Sequence, residues 1–380
     1  MDALLTKGLE EVIVREHLER ALKSGKKLRV KFGIDPTSPE MHLGHLVPLL
    51  KLKQFQDAGH KVVFIIGDFT AMIGDPSGRS ETRKPLTEAD VKKNMKTYLE
   101  QAKKVLNVKK AEVRHNSEWF KKGGVKLLLE MASKVSVQQV LKRDDFEKRM
   151  QAGEEVSVQE ELYPMLQGYD SVAVKADVEI GGTDQKFNLL MGRRLQRAYG
   201  QGEQDIMTLP LLVGTDGIRK MGKSFGNVIA LRDAPADMYG KVMSVPDGLT
   251  STYAELFMQE AVPEAENPYE VKRRLAHAIV AMLHDEKSAE KAEASFVRTF
   301  SKKEEPEDMP TIGVPDDEIS IIDLLLLSGV KSKGEARRLV TQKAVDVRGV
   351  TIGDPNEPIT VGKPLTLKVG KKKFFRIVRL

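Results

Sequence analysis

Two hydrophobic periods alternate through roughly the first 230 residues, and that alternation confines the region to a parallel sheet wound with helices. Leu28-Arg29-Val30-Lys31-Phe32-Gly33-Ile34 reads as a first strand. Lys61-Val62-Val63-Phe64-Ile65-Ile66-Gly67 is apolar at nearly every position, as a strand covered on both faces must be. Between the two, Leu43, Leu46, Val47, Leu50 and Phe55 recur at helical spacing until Ala58-Gly59 stops the helix. The same reading predicts a helix from about Glu88 to Leu106, a short strand near Val113 and a strand ending at Val178 to Gly182. It also predicts a helix from Asp184 to Tyr199 and a short buried strand within Ile206 to Val213.

After Pro235 the pattern becomes helical only. Asn267-Pro268 is an N-cap followed by proline at the first helical position, and Val271, Leu275, Ile279 and Met282 mark one apolar face. Ser301 to Glu318 carries three prolines and dense charge, the composition of a linker. Beyond it, Ser332 and Glu335 form a capping box for a short helix, and Val345-Asp346-Val347, Ile359 with Val361, Leu365 to Val369 and Phe375 with Ile377 alternate as strands. The division expected is an α/β domain over 1–235, an all-α domain over 236–300, a linker over 301–317 and a small α+β module over 318–380.

Composition narrows the class. At roughly 100 to 200 residues per domain, 380 residues suffice for two or three domains. Hydrophobic residues at 41% and charged residues at 31% describe a globular chain. No span approaches ~18 apolar residues, so no membrane partner is expected; the greasiest stretch, Ile321 to Leu327, contains Asp323. With no apolar signal core near the start and no cysteine anywhere, the expectation is a cytoplasmic protein without disulfides, thiolate metal sites or a cysteine nucleophile. The net charge of +6 is uneven. Glu318 to Leu380 holds thirteen Lys and Arg against six Asp and Glu, leaving the rest of the chain near neutrality. A polyanion such as RNA is the natural partner of that tail.

Residues 217–224, GIRKMGKS, match the phosphate-loop pattern G-x-x-x-x-G-K-[ST]. A loop of that kind opens directly into a helix, whereas Phe225-Gly226-Asn227 signals a turn and Pro235 follows soon after. Long side chains at Arg219, Lys220 and Met221 also replace the small residues of a tight cradle. The segment therefore reads as a basic phosphate clamp of another kind, or as an exposed basic turn. His42 and His45 lie at the first turn of the helix predicted between the first two strands, where free amides and the helix dipole favour phosphate, and Gly44 lets a flat base approach the backbone. A zinc site lacks a third ligand nearby, and a structural histidine pair is the plainer alternative.

His42-Leu43-Gly44-His45 together with Lys220-Met221-Gly222-Lys223-Ser224 resembles the paired signature of class I aminoacyl-tRNA synthetases, whose catalytic domain is a Rossmann-type sheet. YPMLQGYD (163–170) and IGGTDQKFN (180–188) resemble the tyrosyl branch of that family. The tail, through Ser328 to Gly349, resembles a small RNA-binding module shared with a ribosomal small-subunit protein.

The resemblance implies a two-step reaction: tyrosine and ATP give tyrosyl-adenylate, and the tyrosyl group then passes to the 3′ end of its tRNA. His42, His45, Lys220 and Lys223 are implied as catalytic groups acting on the phosphates. Asp75, Tyr163 and Gln167 would hold the α-amino group, Gln185 would face the substrate, and Asp170 would accept the phenol hydroxyl. Asp35, Thr37, Gly44, Asp184, Met221 and Ser224 would line the nucleotide, with Arg79 and Arg83 near the pyrophosphate. Lys333, Arg337 and Arg338 would meet RNA. ATP brings Mg²⁺ with it, no protein-held metal is implied, and the family suggests a homodimer with tRNA(Tyr) as partner. Two residues depart from the family pattern: Lys31 stands where a tyrosine often contacts the phenol, and Gly222 replaces a serine. The rivals are a tryptophanyl synthetase, a plain P-loop hydrolase and a catalytically silent RNA-binding protein on the same scaffold.

Overall fold

The computed structural model describes residues 2–77, 86–258, 266–301, 309–370 and 373–380. They form two compact units, Met1–Glu290 and Lys291–Leu380. The first is built on β1 (Glu11–Ile13), β2 (Arg29–Ile34), β3 (Lys61–Ile66), β4 (Glu112–His115), β5 (Val178–Gly182) and β6 (Asp205–Leu209). Their order in the sheet is β1-β6-β5-β2-β3-β4. All neighbours pair parallel except the edge strand β1, which runs antiparallel to β6. Helices cover the sheet: Leu43–Asp57 buries Leu43, Leu46, Val47 and Phe55 of the face predicted from spacing, and Leu49 and Leu52 besides, while the predicted Leu50 is only half-buried.

From β2 the chain winds outward in one direction to β3 and β4, then returns and winds in the other through β5 and β6. The connections at the C-terminal ends of β2 and β5 thus diverge, and the crevice they leave is where open α/β sheets bind ligands. Below that crevice Lys31 stands opposite Glu179 across the β2–β5 pairing. The Lys31 ammonium is fully buried; it donates to Glu179 Oε1 (2.6 Å), Ser171 Oγ (2.9 Å) and the Gln167 carbonyl (3.2 Å). The second Glu179 oxygen accepts from Ser171 and from Gln204. Such saturation is the condition on which a buried ion pair can be tolerated.

Several expectations shift. The helix expected over 88–106 is two, Glu88–Met95 and Tyr98–Ala102, because the Thr97 hydroxyl turns to the Pro39 carbonyl and Gln101 accepts from Met41 N (2.8 Å), docking this region on the loop before His42. β6 ends at Leu209, before Pro210, which has no amide hydrogen for a ladder. The helices Pro235–Met243, Thr250–Phe257 and Pro268–Leu283 belong to the same compact unit as the sheet, which runs to Glu290. Tyr253 donates to the Val213 carbonyl, and Lys104 Nζ donates to the carbonyls of Leu231 (2.9 Å) and Leu283 (2.8 Å), which ties the helices to the sheet region.

In the second unit a five-stranded sheet runs in the order Val350–Thr351, Val345–Val347, Leu365–Val369, Lys373–Arg379, Thr311–Val314. Thr311–Val314 falls in the segment expected as linker; it pairs parallel with the last strand and buries Val314. Two helices, Ile321–Leu327 and Lys333–Thr341, close over a core that includes Leu324, Leu325, Ala336, Val340, Leu367 and Ile377. Ser332 caps the second helix by accepting from Glu335 N (3.2 Å), but the Glu335 carboxylate reaches back one residue further, to Lys331 N. Among the described residues no helix is long and apolar enough to cross a membrane.

Candidate active site

A cavity of about 750 Å³ opens at the C-terminal ends of β2, β3, β5 and β6. The His42 to His45 helix start and the lysine loop meet there although they are remote in sequence. The cause is a backbone bridge: Leu43 N donates to the Ile229 carbonyl and Leu231 N to the Met41 carbonyl, both at 3.0 Å, so the strand-like segment after the loop lies antiparallel to the approach to the helix. The loop itself folds back through a bridge between Val213 and Lys220. Buried Asn227 staples it, accepting from Gly222 N (2.8 Å) and donating to the carbonyls of Arg219 and Lys220. Only a single 3-10 turn, Lys223–Phe225, follows the glycine, so the P-loop reading fails on geometry.

His42 is the N-cap and His45 the third residue of the Leu43–Asp57 helix. His42 N donates to His45 Nδ1 (3.1 Å), which leaves the proton of neutral His45 on Nε2. The rings lie 3.9 Å apart. A side chain at position 44 would come to 3.0 Å from the His42 ring, so glycine leaves the ring its room. Burial, then the neighbouring His45 and Lys223 charges, push His42 down to about 2; burial and Lys223 push His45 down to about 4. Both are therefore neutral hydrogen-bonding groups at physiological pH. The cations of the site are the two lysines: Lys220 pairs with Asp184 (2.8 Å) and Lys223 with Glu40 (3.0 Å). The Lys223 hydrogen bond and charge hold Glu40 below the usual carboxylate range.

Helix Val158–Val174 presents Tyr163, Gln167 and Asp170 to the cavity, the i, i+4, i+7 face expected. Asp170 Oδ1 accepts from Trp119 Nε1 (2.9 Å) and Oδ2 from Asn116 Nδ2 (3.4 Å). Burial pushes its carboxyl up to about 7, against the pull of Lys31 and of the Trp119 and Asn116 donors, with Glu179 pushing further up. Lys31 does not line the cavity; it acts on the site as a charge beneath it. Asn116 also donates to Thr70 Oγ1 (2.8 Å), which donates to Asp35 Oδ1 (2.7 Å), while Tyr163 donates to Asp35 Oδ2 (2.9 Å). One hydrogen-bonded chain thus links Asp170 to the end of β2. At the end of β3, Gly67 permits it, since a methyl there would run into Asp35 and Thr70. Gln185 Nε2 donates to Asp75 Oδ2 (2.7 Å).

Asp35, Thr37, Gly44, Asp75, Asp184, Gln185, Met221 and Ser224 all line this cavity with the histidines and lysines. Arg79 and Arg83 lie outside the described residues. Lys333, Arg337 and Arg338 are exposed on the Lys333–Thr341 helix of the second unit. Sequence reasoning missed Glu40, Asn116, Trp119 and Asn227. Only Trp119 carried a signal, as the single tryptophan of the chain.

The comparisons agree with this geometry. Residues 23–301 match the family of tRNA synthetases class I (W and Y), and residues 302–377 match the tyrosine–tRNA ligase SYY-like C-terminal domain. A tyrosine–tRNA ligase of Aquifex aeolicus is 48% identical over 99% of this chain and 97% of its own length, and one of Thermotoga maritima is 47% identical over 98% and 96%. Among solved structures, a tyrosyl-tRNA synthetase of Archaeoglobus fulgidus complexed with L-tyrosine shares the fold, with a TM-score of 0.62 at 22% identity over 77% of this chain and 98% of that one. With the two nucleotide motifs joined in one cavity and full-length likeness on both counts, the chain belongs to the class I tRNA synthetases as a tyrosine–tRNA ligase.

Proposed function

We propose that tyrosine lies along the Tyr163, Gln167 and Asp170 face with its phenol at Asp170 and its α-amino group among Asp75, Tyr163 and Gln167. ATP lies across Gly44 with its ribose toward Asp184 and its phosphates between the histidines and the lysine loop; Asp35, Thr37, Met221 and Ser224 complete its walls. What carries the reading is one shared cavity at the topological switch point, acidic on the side of the amino acid and cationic on the side of the phosphates. Tyr163 supports it: burial and the nearby Asp35 and Asp75 charges raise its phenol well above the ordinary range, so it remains a donor to Asp35.

In the first step a tyrosine carboxylate oxygen attacks the α-phosphorus, the bond to the bridging oxygen breaks, and pyrophosphate leaves with its electron pair. In the second the ribose hydroxyl of the terminal adenosine attacks the adenylate carbonyl and AMP leaves. Neither step needs a protein nucleophile; the side chains orient the reactants and meet charge as it develops on phosphate oxygens. His45, with Nδ1 occupied by a backbone amide, offers Nε2–H to phosphate. Lys220 and Lys223 exchange Asp184 and Glu40 for phosphate oxygens, so the loop closes on ATP by trading partners. Mg²⁺ comes as part of the substrate, on phosphate oxygens and water; among the described residues no three His, Asp or Glu gather as a metal cage.

Lys333, Arg337 and Arg338 are proposed to hold tRNA(Tyr) through its backbone phosphates, on the support of their shared exposure and the basic excess of the tail. A homodimer is proposed on the exposed aliphatic side chains Val125, Leu129, Val137 and Val158 of the first unit, each more than half exposed.

Four outcomes are expected. Tyrosine-dependent pyrophosphate exchange into ATP proceeds without tRNA, and Lys223→Ala slows single-turnover adenylation by roughly 10²- to 10³-fold while tyrosine binding hardly changes; near-normal activation would remove Lys223 from the phosphate site. Since only ionised Asp170 is a pure acceptor for the phenol, the ratio of kcat/KM for tyrosine over phenylalanine falls roughly 10-fold as pH is lowered from about 8 to about 6. A ratio that stays flat, or that Asp170→Asn leaves unchanged, assigns phenol recognition elsewhere. The double variant Arg337→Glu/Arg338→Glu raises the KM for tRNA about 10-fold or more, with a flatter salt dependence, and spares pyrophosphate exchange. Equal loss of both activities would argue against separate roles. Sedimentation at micromolar concentration gives a dimer that Leu129→Glu dissociates; a wild-type monomer refutes the pairing.

A further inference from the structure

Arg143 is an anomaly that the reaction above does not use. It precedes the Asp144–Gln151 helix, outside the sheet, yet its guanidinium is buried against the amino-acid end of the cavity. One nitrogen, Nη2, donates to Ser77 Oγ (2.8 Å), Nη1 donates to Asn188 Oδ1 (3.3 Å), and Nε donates to Asp145 Oδ1 (2.6 Å). Phe146 and Phe187 lie against it at 5.0 and 5.8 Å from ring centroid to the guanidinium carbon. Asp145 balances the charge, so what remains is direction. A guanidinium only donates.

That one-way chemistry orients everything beyond it. Because Asn188 faces Arg143 with its oxygen, its amide nitrogen points the other way and donates to Gln167 Oε1 and Gln185 Oε1, both at 3.0 Å, with a longer contact to Ser77 Oγ (3.2 Å). Gln185, its oxygen engaged, turns its own nitrogen to Asp75 Oδ2 (2.7 Å). Ser77, gripped by Arg143, donates its backbone N–H to Asp75 Oδ1 (2.9 Å). Both Asp75 oxygens are thus held through groups that Arg143 directs. Reversing Asn188 would set oxygen against the oxygens of both glutamines; the glutamines would flip in turn, and Gln185 would offer oxygen to the Asp75 carboxylate.

We propose that Arg143 is a positioning residue for the α-amino subsite: it fixes the polarity of the Asn188, Gln185 and Gln167 amides and through them the place and orientation of Asp75. The inference deepens the assignment of Asp75, Tyr163 and Gln167 to the amino group and rests on it. Arg143 touches no substrate. Its loss should therefore be felt by the ammonium of tyrosine and not by the phenol or by ATP.

The test compares three competitive ligands in pyrophosphate exchange and equilibrium binding: tyrosine, tyramine, and 3-(4-hydroxyphenyl)propionate, which lacks the amine. Arg143→Met should weaken tyrosine and tyramine by about 10- to 100-fold, leave the propionate and the KM for ATP nearly unchanged, and alter kcat less than KM. Arg143→Lys, which restores a buried donor, should recover part of the loss. Asn188→Asp provides a second route if Arg143→Met does not fold: it keeps a partner for Arg143 but cannot donate to the glutamines, and the same amine-specific loss is expected. Asp75→Asn tests the underlying assignment separately. If it spares the amine preference, the amino-subsite reading fails. If it abolishes the preference while the Arg143 and Asn188 variants weaken all three ligands equally or none, the positioning role fails and Arg143 is a structural residue only.

Discussion

The pairing of residues 41–43 with residues 229–231 is the constraint that brings the histidines and the lysine loop into one cavity. The histidines sit on the sheet domain's first crossover helix, the lysines on a loop that begins after its last strand, and nothing in either motif attracts the other. Backbone hydrogen bonds between the two flanking segments fix their separation before any side chain is chosen. The lysines then need only length and mobility, which explains how a loop with an exposed Ile218 at its tip can serve a site that demands placement. Asn227 supplies the remaining order by holding three backbone groups of the loop with one amide.

Charge in the cavity is divided by burial. At the helix start burial holds both imidazoles well below their ordinary range, so they stand there as neutral hydrogen-bonding groups. The lysines each rest on a carboxylate, Lys220 on Asp184 and Lys223 on Glu40. Below Asp170 the opposite device operates: a saturated Lys31–Glu179 pair stands under its carboxyl, and the lysine restrains the rise that burial alone would impose. Lys31, where the family pattern often has a tyrosine, thus acts on Asp170 by field and not by contact.

Much of this was legible in the sequence because it is local. The run Lys61 to Ile66 read as a covered strand, Pro48 placed a helix start near Gly44, and Phe225-Gly226-Asn227 spoke against a P-loop, which the geometry of the loop then ruled out. What was not legible depends on partners distant in the chain. No local pattern joins Trp119 or Asn116 to Asp170, or Arg143 to Ser77 and Asn188, since each contact is made by packing of separate helices. Thr311–Val314 looked like linker because the strand it pairs with is the last of the chain. The helix expected over 88–106 failed for the same reason: Thr97 and Gln101 are drawn to the loop before His42, a tertiary demand stronger than helical propensity.

The two halves of the cavity are therefore specified by different means. The half that holds the histidines and lysines is set largely by backbone: a helix start, a close-approach glycine, the pairing of 41–43 with 229–231 and a loop stapled by Asn227. The amino-acid half is written in a side-chain network, where Asp170, Asn116, Thr70, Asp35 and Tyr163 form one chain and Arg143, Asn188, Gln185 and Asp75 another. In such chains each amide can point only one way once its neighbour is fixed, so a single donor-only or acceptor-only residue at one end sets the rest.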